Sequence, residues 1–217
     1  MEYGSYLGDG ALRGPDFTAE ALNFTAKMLN KFHDAREQER FPQARMRASV
    51  VQSLVQSELK ENRYDPDYFR RRGTRQTSSY QPGAIVLSPA QAHAFALLMR
   101  YYAEKFGAGG PLVGAEVFTP PNYITNAQEI KQLTAFFFWG SWLCAARRPG
   151  GFDYSYTHNW PYDPLAGNIP HAGLALWSAL GTLAVMFSIG ALFYYYGRID
   201  REGMETAEKT RLLPPAT

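Results

Sequence analysis

The chain has 217 residues, of which 46% are apolar and 19% are charged, and its formal net charge is +2. This composition suits one domain with an apolar core and a membrane attachment, and it excludes a largely disordered chain. The charge is too small to indicate a nucleic-acid partner, and the single Cys144 excludes a disulfide framework, a CxxC redox pair and the CxxCH motif that attaches a c-type haem.

Two amphipathic helices are predicted near the start of the chain. The first runs from Thr18 to about Arg40 and the second from Gln43 to Glu61, because each segment carries apolar residues at helical spacing. Both patterns indicate packing of a core. Residues 1–10 lack the basic and apolar pattern of a signal peptide, so we expect none within this chain.

A small β-hairpin and a further helix follow. Residues 84–87 form an apolar run next to the turn signal Gln-Pro-Gly at 81–83, which predicts one strand of the hairpin. Ser88 suits the cap position of a helix, Pro89 suits its first turn, and Gly107 suits its end.

The last helix before the apolar C-terminal run is predicted to begin at Thr125 or Asn126 and to continue to Ala146. Its uncharged part, residues 132–146, is too short to cross a bilayer comfortably. Two interpretations stay open: a core helix of the outer domain, or a helix that packs on other membrane subunits or lies in the membrane interface.

One transmembrane helix is predicted at residues 173–196, a run of 24 uncharged residues that spans about 36 Å as an α-helix. Trp177 near its start and Tyr194–Tyr196 at its end suit the two lipid interfaces; a buried core helix is the alternative. The cations that follow the span favour a cytoplasmic tail and an extracytoplasmic N-terminal domain in the plasma (inner) membrane.

No catalytic constellation is visible in the residues. His33, His93, His158 and His171 are too scattered to predict a local pair of metal ligands. Nucleotide-binding, hydrolase and zinc-protease motifs are missing as well. The residues alone therefore indicate a membrane-anchored, mainly helical outer domain without catalytic or cofactor-binding side chains.

A series of motifs leads from the last outer helix towards the span. They are residues 122–126 (NYITN), 132–139 (QLTAFFFW), 148–150 (RPG), 153–157 (DYSYT), 159–163 (NWPYD) and 167–168 (GN). In this order and spacing they resemble the N-terminal region of the large subunit of quinol-dependent nitric oxide reductases, in the haem-copper oxidase superfamily. Residues 7–10 and 13–19 resemble the start of that family's outer domain, and residues 212–217 resemble its linker to the next membrane helix; residues 40–110 agree in layout only.

The resemblance implies an activity and a set of partners. These enzymes reduce two NO to N2O and water with electrons from quinol, and their outer domain is similar to a cytochrome c fold that has lost its haem. Haem b, haem b3 and a non-haem iron are expected in the remaining multi-span catalytic part, outside this chain. We therefore expect this chain to be a fragment or a separately encoded piece of such an enzyme, without cofactors of its own. Its other expected partner is membrane lipid, around the transmembrane helix.

The same resemblance implies a domain layout. The expected fold is mainly α with a small β-hairpin. Residues 1–121 would form the haemless cytochrome c-like extracytoplasmic domain and 122–172 an amphipathic helix and loop at the membrane surface. Residues 173–196 would form the transmembrane helix and 197–217 a cytoplasmic linker.

A calcium ion near the start of the outer domain is also implied. In the family a Gly-x-Tyr segment supplies some of its ligands, and the aligned residues here are Gly10, Ala11 and Leu12. Gly10 retains a backbone carbonyl that suits a hard cation, whereas Leu12 lacks the tyrosine oxygen. Gly10 is thus the candidate ligand, with Asp9 or a water in compensation, and a packing role for this loop is the alternative.

Residues 152–168, here called the aromatic loop, combine Tyr, Trp and turn residues directly ahead of the span. We predict an irregular plug whose rings bury against the catalytic part while their polar atoms find partners. The residues expected to dock are Asn159, Trp160, Tyr162 and Asp163, with a capping or turn role preferred for the carboxylate. A stand-alone membrane-anchored interaction or assembly module is the alternative to an enzyme part.

Overall fold

The computed structural model describes residues 4–10, 14–73, 83–114 and 119–211. Its elements are β1 (Ser5–Tyr6), β2 (Asp9–Gly10), α1 (Phe17–Glu37), α2 (Ala44–Lys60), β3 (Tyr64–Asp65), α3 (Tyr68–Arg71), β4 (Ala84–Ile85), α4 (Pro89–Phe106), α5 (Ala127–Ala145) and α6 (Ala172–Arg211). The described part is therefore mainly helical with two small antiparallel sheets, which confirms the expected fold class. The chain divides into two units, residues 1–171 and 172–217.

The helices of the first unit begin close to the predicted residues because their caps are local. Asp16 caps α1 by accepting a hydrogen bond from the Ala19 amide. Ser88 and Gln91 form a capping box at α4, with proline at the first helical position as predicted. At α5 the Asn126 side chain accepts from the amides of residues 128 and 129.

Helices α1, α2, α4 and α5 pack around two apolar clusters. The first is mostly aliphatic and is centred on Leu22, Leu29, Val51 and Val55, all of which are fully buried. The second is aromatic, with Phe17 stacked on Phe137 at 4.7 Å between ring centres. Burial of this apolar surface is the main source of the domain's stability.

Helix α5 has one buried face and one partly exposed face. Ile130, Phe137 and Trp142 are buried on one face, so α5 is a core helix of the first unit. Phe136 and Trp139 lie on the opposite face and are exposed. The core role is therefore confirmed, whereas packing on membrane subunits or in the interface stays a prediction. Phe136 on the second face stacks on Tyr6 at 4.6 Å.

Two short strand pairs complete the first unit. Strand β4 was predicted, and it pairs with β3 in the register Tyr64 to Ile85 and Asp65 to Ala84. The predicted turn residues Gln81 and Pro82 lie outside the described residues. The other pair, β1 with β2, was not predicted from the sequence.

The second unit contains the single helix α6, of 40 residues. Among the described residues, it is the one helix long and apolar enough to cross a membrane, and none of its apolar stretch is buried. This supports a single-pass membrane anchor. The predicted span at 173–196 lies within α6, and the residues assigned to a linker continue the helix to Arg211, with residues 212–217 outside the described part.

Candidate docking surface

The N-terminal hairpin, formed by β1 and β2, is bound to the start of α1 through the carboxylate of Asp16. The Oδ1 atom of Asp16 caps α1, while its Oδ2 atom accepts from the Gly8 amide at 2.6 Å and from the Ser5 hydroxyl at 2.8 Å. The Leu7 amide also donates to the Thr18 hydroxyl at 3.1 Å. Negative charge is favourable at a helix N-terminus, so the same group stabilises both the helix and the hairpin.

Gly10, the candidate calcium ligand, lies exposed on β2 opposite Ser5. Its φ is +136°, and a Cβ at this position would lie 3.0 Å from the Gly4 carbonyl oxygen, so the local backbone requires glycine. Asp9 is exposed beside it, and Leu12 lies outside the described residues. The calcium role of Gly10 stays a prediction.

The aromatic loop is held by a buried asparagine whose role was not predicted from the sequence. Asn168 is 1% exposed, and its Oδ1 atom accepts from the Asp163 amide at 2.8 Å. Its Nδ2 atom donates to the carbonyl oxygens of Pro161 at 2.7 Å and Cys144 at 3.0 Å. One side chain thus joins two points of the loop to the last turn of α5.

Two of the four predicted docking residues belong to the same framework. Asp163 is 5% exposed; its Oδ1 atom accepts from the amides of residues 165 and 166, and its Oδ2 atom accepts from Asn23 Nδ2 at 2.6 Å. The Oδ1 atom of Asn159 accepts from the Ser155 amide, and its Nδ2 atom donates to the Ile169 carbonyl oxygen at 2.7 Å. Asn159 and Asp163 both hold the loop, and Asp163 in addition joins it to α1 through Asn23.

The other two predicted residues present their rings to the outside. Trp160 is 50% exposed and Tyr162 is 49% exposed. A Cβ at Gly8 would lie 3.9 Å from the indole nitrogen of Trp160, so the turn of the N-terminal hairpin lies beside this ring. The structure therefore brings the turn of the hairpin that carries Gly10 beside one predicted docking residue, Trp160.

Three side chains of the first unit have raised pKa values. Burial raises the pKa of Tyr6 to about 12 and that of the Cys144 thiol to about 12, and the Asp16 carboxylate adds to both effects. Burial, together with the charge of Glu20, also raises the pKa of Tyr101. At neutral pH all three groups therefore stay protonated.

We expect the domain to lose stability at alkaline pH. A group whose pKa is higher in the folded than in the unfolded state stabilises fully below its unfolded pKa, and this contribution is lost as the pH rises through the folded pKa. For Cys144 and Tyr6 the loss should extend from about pH 9 to about pH 12. The Tyr6 hydroxyl is buried without a partner in the described residues, so Tyr6→Phe should change stability little at pH 7 and reduce the alkaline loss.

Urea denaturation of the wild type and of Tyr6→Phe at several pH values measures this effect. Tyr162→Phe is the matched control, because that tyrosine is exposed. An alkaline profile of Tyr6→Phe that is the same as that of the wild type would contradict the assigned role of Tyr6.

A family model described as the cytochrome c-like domain of the NorB polypeptide of nitric oxide reductase matches residues 1–162. The chain belongs to this family. No curated protein matches the chain significantly. The matched nitric oxide reductase domain includes Gly10, Asn159, Trp160 and Tyr162, and it ends one residue before Asp163.

The described residues of this nitric oxide reductase domain do not fit a covalently attached haem. Cys144 is the single cysteine, and its Sγ atom is buried and donates to the Gly140 carbonyl oxygen. In the described ranges no group of three or more His, Cys, Asp or Glu side chains could hold a metal ion. Side chains such as Tyr102 and Phe106 instead pack in the interior of the domain, with stacked rings 5.6 Å apart.

Proposed function

We propose that this chain is the N-terminal part of a membrane enzyme that reduces two NO to N2O and water with electrons from quinol. In this role it is the extracytoplasmic cap and single-pass anchor of the catalytic part in the plasma membrane. The proposal rests on the family match over residues 1–162, followed by an apolar helix that can span a bilayer. Haem b, haem b3 and the non-haem iron would supply the redox chemistry in the multi-span part, whereas this chain supplies binding surface.

In the aromatic loop, polar side chains fix the backbone and two aromatic rings stay exposed, and the docking role depends on both. Asn159, Asp163 and Asn168 hold the backbone, so Trp160 and Tyr162 stay exposed with little freedom to collapse onto the domain. Covering the exposed half of each ring would remove roughly 100 Å² from water, a gain of about 2.5 kcal/mol per ring. A preformed aromatic surface of this kind suits docking because ordering the loop adds little further cost.

The test is to express the chain in membranes with and without the downstream reading frame, and to record haem spectra and NO consumption. We expect b-type haem and NO turnover only when the downstream part is present. Haem bound by the chain alone would contradict its assignment as a haemless cap. Absence of NO turnover in both cases would favour a stand-alone interaction module.

Within the active assembly, Trp160→Ala should weaken docking of the outer domain. Half of the ring is already buried against the domain, so the free energy of unfolding of the isolated chain should also fall, by about 2 kcal/mol. Haem content and NO consumption of the assembly should fall, as measured after detergent extraction. Met46→Ala is the control, because it removes an exposed apolar side chain from α2; equal activities for the two variants would argue against the docking role of Trp160.

A further inference from the structure

A polar cleft of about 540 Å³ lies beside the C-terminal end of α2, and the exposed rings of Trp160 and Tyr162 do not line it. Three cations line it: Lys60 from α2, and Arg147 and Arg148 from the segment that follows α5. Ser57 and Asn62 add polar side chains. The three cations outnumber the single carboxylate of the lining, that of Glu61, so the cleft is net positive.

Backbone contacts hold these cations together. The Arg147 amide donates to the Lys60 carbonyl oxygen at 3.0 Å, which joins the segment after α5 to the end of α2. Asn62, two residues after Lys60, donates from its Nδ2 atom to the Arg147 carbonyl oxygen at 2.8 Å. These contacts bring the backbones of Lys60 and Arg147 together at one side of the cleft.

Nearby carboxylates leave much of this charge uncompensated. Glu61 also lines the cleft, but its carboxylate pairs with Arg63. Asp153 pairs with Arg147 at 2.7 Å but is 87% exposed. Such an exposed pair is worth little. Arg148 has no carboxylate partner in the described part of the chain.

The guanidinium of Arg148 is held by aromatic rings instead. It lies 5.7 Å from the ring centre of Phe152 and 5.9 Å from that of Tyr154. This arrangement orients the group without neutralising it. A cation that is positioned in advance and unpaired suits recognition of an anion.

Helix ends explain only part of the cluster. Cations are favourable at helix C-termini, which accounts for Lys60 at the end of α2 and for Arg147 just after α5. Arg148 adds a third charge beyond those two ends. We propose that this cleft binds a phosphate group, either of an anionic lipid headgroup or of free phosphate.

Both sources offer the chemistry that the cleft recognises. Lysine and arginine form charge-assisted hydrogen bonds with phosphate oxygens. The chain enters its candidate membrane span at Ala172, so the domain that carries the cleft is tethered to a bilayer surface. Trp160 and Tyr162 do not line the cleft, although Phe152 and Tyr154 of the aromatic loop hold Arg148.

Titration calorimetry of the full chain in a phosphate-free maltoside micelle tests this proposal. One arm adds inorganic phosphate, the second adds a short-chain phosphatidylglycerol, and a short-chain neutral glycolipid is the blank. The wild type should bind at least one of the two phosphate probes. The double variant Lys60→Gln/Arg148→Gln should bind that probe at least about tenfold more weakly, because it loses two charge-assisted contacts.

Arg45→Gln is the matched control, because Arg45 is an exposed cation at the other end of α2. It should bind like the wild type, and the circular dichroism and melting temperatures of all variants should agree. Binding of the lipid alone identifies the headgroup as the ligand, and binding of inorganic phosphate identifies the free ion. No binding of either probe by the wild type, or equal binding by the wild type and the double variant, would overturn the proposal.

Discussion

Replacing Asn168 with alanine is expected to lower the free energy of unfolding by about 3 to 5 kcal/mol. The substitution removes the partner of two buried backbone groups, the Asp163 amide and the Cys144 carbonyl oxygen, and of the part-buried Pro161 carbonyl oxygen. Each buried polar group left without a hydrogen bond costs about 1 to 3 kcal/mol. The aromatic loop should also separate from the end of α5, so docking should fail together with stability.

Urea denaturation of the chain in micelles, followed by tryptophan fluorescence, measures this loss. Asn62→Ala is the matched control: Asn62 also donates to two partners, Arg147 and Tyr156, but these bonds are exposed and water can replace them. Its cost should stay near 1 kcal/mol. A smaller loss for Asn168→Ala than for Asn62→Ala would show that Asn168 does not anchor the loop.

The second large effect is expected at Lys105, which is 3% exposed and forms an ion pair with Glu20. Lys105→Met removes the compensating charge and leaves the Glu20 carboxylate with the Tyr101 hydroxyl, at 2.8 Å. Its other oxygen, Oε2, is buried without a partner in the described residues. Breaking a buried pair from one side typically costs about 3 to 5 kcal/mol, and we expect a loss of that size.

A double-mutant cycle separates the pair from the packing around it. Adding Glu20→Gln to Lys105→Met removes the uncompensated charge, so the double variant should be more stable than Lys105→Met alone. Arg70→Met is the control, because it breaks the exposed Asp67–Arg70 pair and should cost less than about 1 kcal/mol. If the second substitution gave no recovery, the loss would come from packing and not from charge.

These two sites stabilise different parts of the same outer domain. The Glu20–Lys105 pair joins α1 to α4, beside the aromatic cluster around Phe17. Asn168 instead joins the aromatic loop to α5. Lys105→Met should therefore destabilise the whole domain, whereas Asn168→Ala should act most strongly on the conformation of the aromatic loop.

The sequence by itself determined the helical content, the helix starts and the candidate span. Ser88 with Pro89 and Asn126 act within one turn of the helices they begin, so their effect can be read from neighbouring residues. The apolar run that forms the start of α6 is equally local, because its length and lack of charge suffice to predict a helix that can span a bilayer. The resemblance carried by the motifs of residues 122–168 likewise depends on the order of residues alone, and the family match supports it.

Only the tertiary structure decided which polar residues of the aromatic loop hold it and which rings stay exposed. Asp163 and Trp160 are three residues apart and look equally suited to docking, yet Asp163 is buried against Asn23, 140 positions away in sequence. The cation cluster at Lys60 and Arg147 depends in the same way on contacts between distant segments. Side-chain patterns report local preference, whereas burial and hydrogen-bond partners are set by how the helices pack, and this is why those roles required the fold.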